Sequence, residues 1–216
     1  MANNIQNFNV LNLIRCKHDT ITTTASGEEE NQKYFVIPAY PAKGILYVTQ
    51  NNVQFISGHI RVRGRNNGSY PYKYLEMIDT IFGKEDKTIE VCSGMIRKYS
   101  NNNHHDNSDS GQCFTVDINP KTNPDLVEDG QTLSSISNNT FNRWRSDPPY
   151  NAETAKEMYN TSLPEAAKLL KAGVRVCKVG SLMFLLLGPK NYQICPQGVK
   201  RIGWIGLTVV PNNELR

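Results

Sequence analysis

The sequence predicts an α/β protein with a mostly parallel, twisted sheet, helices on both faces of that sheet, and an N-terminal β-hairpin extension. Beyond residue 70, strand-like segments of nearly continuous apolar residues alternate with helical patterns, which is typical of parallel strands buried on both faces. Before that point, short strand patterns are separated by turn residues, which favours antiparallel pairing. We therefore expect an N-terminal arm and hairpin extension at residues 1–66 and an α/β domain at residues 67–216.

Three strand patterns occupy the N-terminal region, and the last two are separated by residues 50–52, which predicts a hairpin. They read "KYFVIPAY", "GILYVT" and "VQFISGHIRVRG". Along the last of them, period-two alternation places four basic or potentially basic side chains on one face, namely His59, Arg61, Arg63 and Arg65. This face is either the solvated outer surface of a sheet or a strip that contacts nucleic-acid phosphates.

The α/β region begins with the helical pattern "YPYKYLEMIDTIF", which Gly83 ends. The strands "TIEVCSG" and "QCFTVDINP", the turn "DLVEDGQTL" and the strand "TFNRWRSDPPY" follow, and the last of these breaks at Pro148. The segment "NAETAKEMYNTSLPEAAKLLKAG" predicts one helix kinked at Pro164 or two short helices, closing on Gly173. The last strands are predicted in "VRVCKVGSLMFLLLG" and "KRIGWIGLTVV".

The composition indicates a globular, intracellular protein. The formal net charge of +4 leans toward an anionic partner such as nucleic acid. The 5 cysteines are an odd number without a Cys-x-x-Cys pair, which predicts reduced thiols and a cytoplasmic location. No signal peptide is recognisable, and the longest apolar run, residues 182–187, is too short to span a bilayer, so we expect no membrane association.

Two histidine-containing segments invite interpretation as metal ligands. Cys16 and His18 form a Cys-x-His pair, and His104 and His105 are adjacent in the polar tract of residues 101–111. The Cys-x-His pair has no second pair to complete a zinc site, and adjacent histidines in a polar loop are more often solvated. We therefore predict no metal.

Candidate site residues follow the predicted strands. In open α/β sheets, ligands bind beyond the carboxyl ends of the strands. Gly94 lies after the first strand of the α/β region, Asp117 ends the second, and Asp129 lies in the following turn. The run Asp147-Pro148-Pro149-Tyr150 follows the next strand, so all four positions are expected along one rim of the sheet.

This ordered set resembles the class I S-adenosylmethionine-dependent methyltransferases, and within them the exocyclic-amine methyltransferases of DNA and RNA. The segments that carry the resemblance are "EVCSG", "VDINP", "EDGQTL" and "SDPPYN", and it extends over roughly residues 70–210. It implies a Rossmann-like methyltransferase fold for residues 67–216 and S-adenosyl-L-methionine as cofactor. The cofactor-binding residues that it implies are Glu90, Cys92 and Gly94 for the methionine part, Asp117 for the ribose hydroxyls, and Asp129 with Gln131 for the adenine.

The resemblance also implies roles for the Asp-Pro-Pro-Tyr run. Asp147 and the carbonyl of Pro148 would accept the two hydrogens of the target amine, and Tyr150 would stack on the base. Prolines suit this position because they have a fixed φ and no N–H, so Pro148 and Pro149 hold the carbonyl in a preset direction.

Structural alternatives exist for each acid. Asp147 could be a helix N-cap with Pro148 at the first helical position. Asp117 and Asp129 could be ordinary turn formers. Ile96 stands where the family often has a second glycine, which implies a differently closed cofactor pocket.

The expected function is methylation of adenine N6 or cytosine N4, with DNA preferred to RNA as the polymer. The alternatives are a guanine-N2 RNA methyltransferase, a protein-glutamine methyltransferase, or an inactive nucleic-acid-binding partner subunit with the same fold. No large insertion could serve as a separate target-recognition domain. Specificity would therefore come from the N-terminal hairpin, the tract at residues 101–111, or a protein partner.

Overall fold

The computed structural model describes residues 20–22, 33–37, 44–48, 53–57, 62–63, 70, 74–96, 113–188, 195–206 and 209–210. The chain divides into two compact units. The first comprises Met1–Arg65, Pro71–Lys84 and Arg201–Arg216, and the second comprises Asn66–Tyr70 and Glu85–Lys200.

The described elements alternate between strands and helices in the second half of the chain. In chain order they are β1 (Thr20–Thr22), β2 (Lys33–Ile37), β3 (Gly44–Val48), β4 (Val53–Ser57), β5 (Val62–Arg63), α1 (Tyr74–Phe82), β6 (Thr88–Val91), β7 (Phe114–Asp117), a 3-10 turn (Pro120–Thr122), β8 (Leu126–Val127), β9 (Phe141–Ser146), α2 (Ala152–Tyr159), α3 (Ala166–Val176), β10 (Cys177–Leu185), β11 (Gly203–Gly206) and β12 (Val209–Val210).

The first unit contains a five-stranded sheet in the order β1-β2-β3-β4-β11. β3 and β4 pair antiparallel, with Val48 opposite Val53 across the connection that the sequence predicts as a hairpin turn. β11 pairs with β4 in parallel, from Gly203 opposite Val53 onward, so this C-terminal strand belongs to the same sheet. That this region forms an extension to a separate α/β domain stays a prediction.

Helix α1 lies within the predicted segment and ends at Phe82, directly before Gly83, as the sequence predicts. Gly83 has a φ of 81°, a conformation that favours glycine, and its N–H donates to the carbonyl of Asp79 at 2.9 Å. The apolar residues at helical spacing, Tyr74, Leu75, Ile78 and Phe82, are all buried.

The second unit is built on a five-stranded sheet in the order β10-β9-β6-β7-β8, and all four neighbouring pairs are parallel. Numbered from β6 along the chain and read from the opposite edge, this order is 3-2-1-4-5, as in doubly wound α/β folds. The α/β class with a parallel sheet is therefore confirmed, and the order is compatible with a Rossmann-like fold. The chain reverses direction across the sheet between β6 and β9, which is where such folds bind ligands.

One face of this sheet carries the apolar core. Val91, Val116 and Trp144 belong to one buried cluster with Leu169 and Leu170 of α3. Burial of a large aliphatic or aromatic side chain stabilises a fold by roughly 1.5–3 kcal/mol, so this contact holds α3 on the sheet. Coverage of both faces by helices stays a prediction.

The other face of the sheet carries buried polar side chains. Glu90 lies opposite Thr115 on β7 and Arg145 on β9, and all three are buried. Glu90 and Arg145 form an ion pair. This pairing agrees with the rule that charged groups are rarely buried without partners.

The segment after the proline run forms two helices, the second of the two alternatives that the sequence leaves open. The predicted end at Gly173 is wrong, because α3 continues to Val176. Gly173 is instead a packing position, where an added Cβ would overlap Cε of Met183 and approach Trp144 to 3.2 Å. The predicted turn "DLVEDGQTL" also contains the short strand β8.

Candidate active site

A cleft lies at the carboxyl ends of β6, β7, β8 and β9, within the second unit. Its volume is about 170 Å³, whereas one water molecule needs roughly 10–15 Å³. It therefore has room for a group much larger than water. The lining includes seven of the ten proposed cofactor and catalytic residues, namely Cys92, Gly94, Asp117, Asp129, Gln131, Asp147 and Pro149.

The turn after β6 lines the cleft. Cys92 and Gly94 have φ angles of 55° and 52°, so the chain reverses sharply as the strand ends. Glycine accepts this conformation without penalty, whereas a side chain such as that of Cys92 is strained in it. The N–H of Gly94 donates to Oδ2 of Asp117 at 2.7 Å, and the N–H of Ser93 donates to the carbonyl of Val116 at 3.1 Å. The turn is therefore tied to the end of β7.

Asp117 ends β7 with both carboxylate oxygens engaged. Oδ2 accepts from Gly94, and Oδ1 accepts from the N–H of Asn119 at 2.8 Å. The turn-forming role that the sequence allows for Asp117 is therefore present. A carboxylate has roughly four acceptor positions, so these two bonds leave capacity for a ligand in the cleft.

Asp129 is held in the same manner after β8. Its Oδ1 accepts from the N–H of Gln131 at 2.9 Å, which makes it a turn former as well. The side-chain oxygen of Gln131 accepts from the N–H of Glu165 at 2.9 Å, which connects this turn to the start of α3. Between them, Gly130 has no room for a side chain because an added Cβ would overlap Cγ1 of Val91.

Asp147 follows β9 directly and does not cap a helix, so that alternative is wrong. The N-cap of α2 is Asn151, whose side-chain oxygen accepts from the N–H of Thr154 at 2.7 Å. Asp147 instead lines the cleft, and its Oδ1 accepts a 2.7 Å hydrogen bond from the hydroxyl of Tyr150. Pro148 is buried, Pro149 lines the cleft, and the side chain of Tyr150 is 43% exposed.

Burial changes the acidity of two groups in the cleft. Burial raises the pKa of Asp147 to about 7, although the Tyr150 hydrogen bond lowers it, and the charge of Glu90 adds to the rise. Burial together with the nearby Asp117 raises the pKa of Cys92 to about 12, so the thiol stays neutral. Cys92 is thus unsuited to nucleophilic chemistry.

Glu90 is not among the lining residues of the cleft. Its carboxylate pairs with Arg145 and accepts a 2.8 Å hydrogen bond from the hydroxyl of Tyr70. Tyr70 itself lines the cleft. The structure therefore places Glu90 behind a lining residue, and a direct contact of Glu90 with a cofactor stays a prediction.

Several lining residues are not singled out by the sequence patterns. Tyr159 is the last residue of α2, and burial with the negative charges of Asp147 and Asp117 raises its pKa. Periodicity assigns such a tyrosine to a helix but cannot show that the helix ends beside a strand terminus. The other unanticipated lining residues are Tyr70, Ser93, Ile118, Thr161, Ser162, Pro164 and Leu169.

The basic strip lies largely outside the described residues. Arg63 is placed in β5, but its side chain, and His59, Arg61 and Arg65 altogether, are outside the description. The same holds for Cys16, for His18 and for the tract at residues 101–111. Within the described ranges, no group of three or more His, Cys, Asp or Glu residues is placed to hold a metal ion, and the described cysteines are free thiols.

No protein-family model and no curated protein matches the chain. In the part of the chain that the structure describes, no helix has both the length and the apolar character that a membrane crossing requires.

Proposed function

We propose that the chain is an S-adenosylmethionine-dependent N-methyltransferase that modifies an exocyclic amine of a nucleic-acid base. The observation that supports this proposal is the convergence in one cleft of four separate strand-end motifs. Gly94, Asp117, Asp129 and Asp147 come from the ends of four different strands, and all of them line the same cavity.

The polar groups of the cleft fit the cofactor. Asp117 and Asp129 retain acceptor capacity for ribose hydroxyls and for an adenine amine. Ser93 lines the cleft, and its Oγ is buried with no hydrogen-bond partner in the described part of the chain. A buried hydroxyl without a partner costs stability, so a ligand that bonds to Ser93 would recover that cost.

S-adenosylmethionine, when bound, would supply an electrophilic methyl group. Asp147 and the carbonyl of Pro148 would accept the hydrogens of the target amine and direct its nitrogen lone pair into the cleft. An ionised carboxyl group only accepts hydrogen bonds, and its bonds are stronger, whereas a protonated one also donates. Since the pKa of Asp147 is raised to about 7, this role requires neutral or higher pH.

Tyr150 would provide the stacking surface for the base. Its side chain is 43% exposed, and the hydrogen bond to Asp147 fixes the ring beside the carboxylate. Stacking on an aromatic ring contributes about 1–3 kcal/mol per base. We favour adenine N6 or cytosine N4 as the target amine and DNA as the polymer, with a protein partner as one source of sequence specificity.

Transfer of a labelled methyl group from S-adenosylmethionine to separate pools of DNA, RNA and protein tests the activity. We expect labelled DNA with the native chain, loss of label with Asp147→Ala, and retention with Asp86→Ala, an exposed aspartate outside the cleft. Label found only in RNA would contradict DNA as the substrate and favour an RNA methyltransferase. Label found only in protein would favour a protein-glutamine methyltransferase.

A thermal-unfolding series with the cofactor separates an enzyme from an inactive partner subunit. A ligand that binds only the folded state raises the melting temperature by mass action. We expect a concentration-dependent rise. No rise at saturating cofactor, together with no transferred label, would contradict the methyltransferase proposal.

A further inference from the structure

The cleft has a one-sided charge. Its described lining contains three aspartates, Asp117, Asp129 and Asp147, and no lysine, arginine or histidine. This composition contrasts with the net charge of +4 for the whole chain. The local field therefore opposes the charge of the protein and attracts a cation.

The three carboxylates line the same cleft as Cys92. Cys92 is within electrostatic reach of all three. Burial is the largest cause of its raised pKa, and the charges of Asp117, Asp147 and Asp129 raise it further. In a partly buried cleft such charges are screened less than on an open surface. A bound positive charge near Cys92 would thus interact with all three.

In nucleotide-binding α/β proteins, the turn after the first strand binds a phosphate through its backbone N–H groups. In this chain the corresponding turn follows β6, and its N–H groups already donate to other residues. Phosphate sites rely on free backbone N–H groups in the turn after the first strand. Here the N–H groups of Ser93, Gly94 and Ile96 donate to Val116, Asp117 and Ser93 respectively. The turn offers a phosphate few donors, and the neighbouring carboxylates repel it.

Ser93 is the independent indication that a ligand completes the site. The residue is 4% exposed, it lines the cleft, and its Oγ has no hydrogen-bond partner among the described residues. Buried hydroxyls in native structures are nearly always bonded. A polar ligand atom beside the turn would satisfy this hydroxyl.

We propose that the cleft selects its nucleoside ligand by positive charge, so that it prefers a sulfonium or ammonium nucleoside to the neutral thioether and rejects phosphate-bearing nucleotides. This inference rests on the proposed function, and it adds that the cofactor binds more tightly than the product of the reaction. Loss of the sulfonium charge on methyl transfer would then promote product release.

The preference depends on pH through the same carboxylates. Asp147, with its pKa of about 7, gains a proton as the pH falls, and the cleft then loses one negative charge. The other titratable groups around it are Glu90, which is paired with Arg145, and Asp117, Asp129, Cys92, Tyr150 and Tyr159. Cys92 and Tyr159, whose pKa values are raised, stay neutral throughout this range.

Titration calorimetry with the full chain tests the proposal. The ligands are S-adenosylmethionine, S-adenosylhomocysteine, an analogue with a protonated amine in place of the sulfonium, and ATP. Above the pKa of Asp147, at about pH 8.5, we expect the thioether to bind at least about tenfold more weakly than the two cations, and ATP to bind more weakly still.

At about pH 6, the ratio of the cation affinity to the thioether affinity should be several-fold smaller than at about pH 8.5. Asp147→Asn should lower this ratio in the same way at both pH values, while the thioether affinity itself changes little. Equal or tighter binding of the thioether at both pH values would overturn charge selection and leave the methyltransferase proposal intact. Tight ATP binding would overturn the rejection of phosphate. No binding of any adenosine ligand would overturn both proposals.

Discussion

The hydroxyl of Tyr150 donates a 2.7 Å hydrogen bond to Oδ1 of Asp147, three residues before it in the same turn. Burial is the main cause of the raised pKa of Asp147, and the charge of Glu90 raises it further. The hydrogen bond from Tyr150 lowers this pKa, because it stabilises the ionised carboxylate. Because the ring of Tyr150 is also exposed, one side chain both adjusts the acidity of the carboxylate and offers a flat surface.

Replacement of Tyr150 by phenylalanine should raise the pKa of Asp147 above its value of about 7, because the hydrogen bond that stabilises the charge is lost. The pH profile of methyl transfer should shift to higher pH, while affinity for the base is retained. Tyr150→Ala is the matched variant, since it also removes the stacking surface. Loss of about 1–3 kcal/mol of stacking should weaken substrate binding by roughly 5–150-fold. An unshifted midpoint with Tyr150→Phe would contradict this role of the hydroxyl.

Asp147→Asn should stabilise the fold at neutral and higher pH. A carboxyl group whose folded pKa is raised to about 7 contributes stability below its unfolded pKa, and that contribution is lost as the pH rises through 7. Asparagine keeps the acceptor for Tyr150 and removes the ionisation. The free energy of unfolding of the variant, relative to the native chain, should therefore increase between about pH 4 and pH 7, by about 2–4 kcal/mol.

Urea unfolding across this pH range measures the effect of Asp147→Asn. Asp86→Asn, at an exposed position, is the control and should leave the pH dependence of stability unchanged. A stability difference between Asp147→Asn and the native chain that does not vary with pH would show that the carboxylate is not destabilised by burial.

The sheet and the strand-end residues of the cleft could be anticipated from the sequence because both follow from short-range patterns. β6, β7 and β9 are nearly continuous buried runs, and parallel strands bring Gly94 and Asp117 to the same edge. Polar residues that follow buried strands are therefore predictable site candidates.

The features that the sequence could not specify depend on contacts between distant residues. Gly173 has the typical signature of a helix end, but its function is to let α3 approach Trp144 and Met183 closely. Tyr70 and Tyr159 line the cleft because of where their segments lie in three dimensions, and no local motif marks them. The N-cap of α2 falls at Asn151 because two prolines and an exposed tyrosine separate Asp147 from the helix.

Gly130→Ala should destabilise the second unit, because the added methyl group would overlap Cγ1 of Val91 and contact Leu169 at 3.2 Å. Val91 is fully buried and β-branched, so it cannot rotate away. Overpacking of this kind costs about 1–3 kcal/mol. Val91→Ala alone should also destabilise, but in the double variant the new methyl group fills part of the space that valine leaves. Chemical unfolding of the four proteins should give a favourable coupling energy of about 1 kcal/mol or more, and additive effects would contradict the contact.

Glu90→Gln should destabilise the fold far more than Tyr70→Phe. The first variant removes the charge that pairs with Arg145, and the second removes only the hydrogen bond from Tyr70 to Glu90. Glu90 and Arg145 are an ion pair with side chains 0% and 1% exposed, so removal of the negative charge takes this counter-charge away from a buried guanidinium. Such a change costs about 3–5 kcal/mol, whereas loss of the Tyr70 hydrogen bond costs about 0.5–1.5 kcal/mol, or up to about 3 kcal/mol as a bond to a charged group. Glutamine keeps an acceptor for Tyr70, so the variant isolates the effect of charge.

Replacement of both charged residues, as in Glu90→Leu with Arg145→Met, should recover much of the stability that Glu90→Gln loses, because neither charge of this pair is then left buried. Glu90→Gln has a second readout, since the charge of Glu90 contributes to the raised pKa of Asp147. The pH profile of methyl transfer should therefore shift to lower pH in this variant, opposite to Tyr150→Phe. A loss of less than about 1 kcal/mol in urea unfolding, which is within the range of an exposed ion pair, would contradict the buried pair, and an unshifted profile would contradict its link to Asp147.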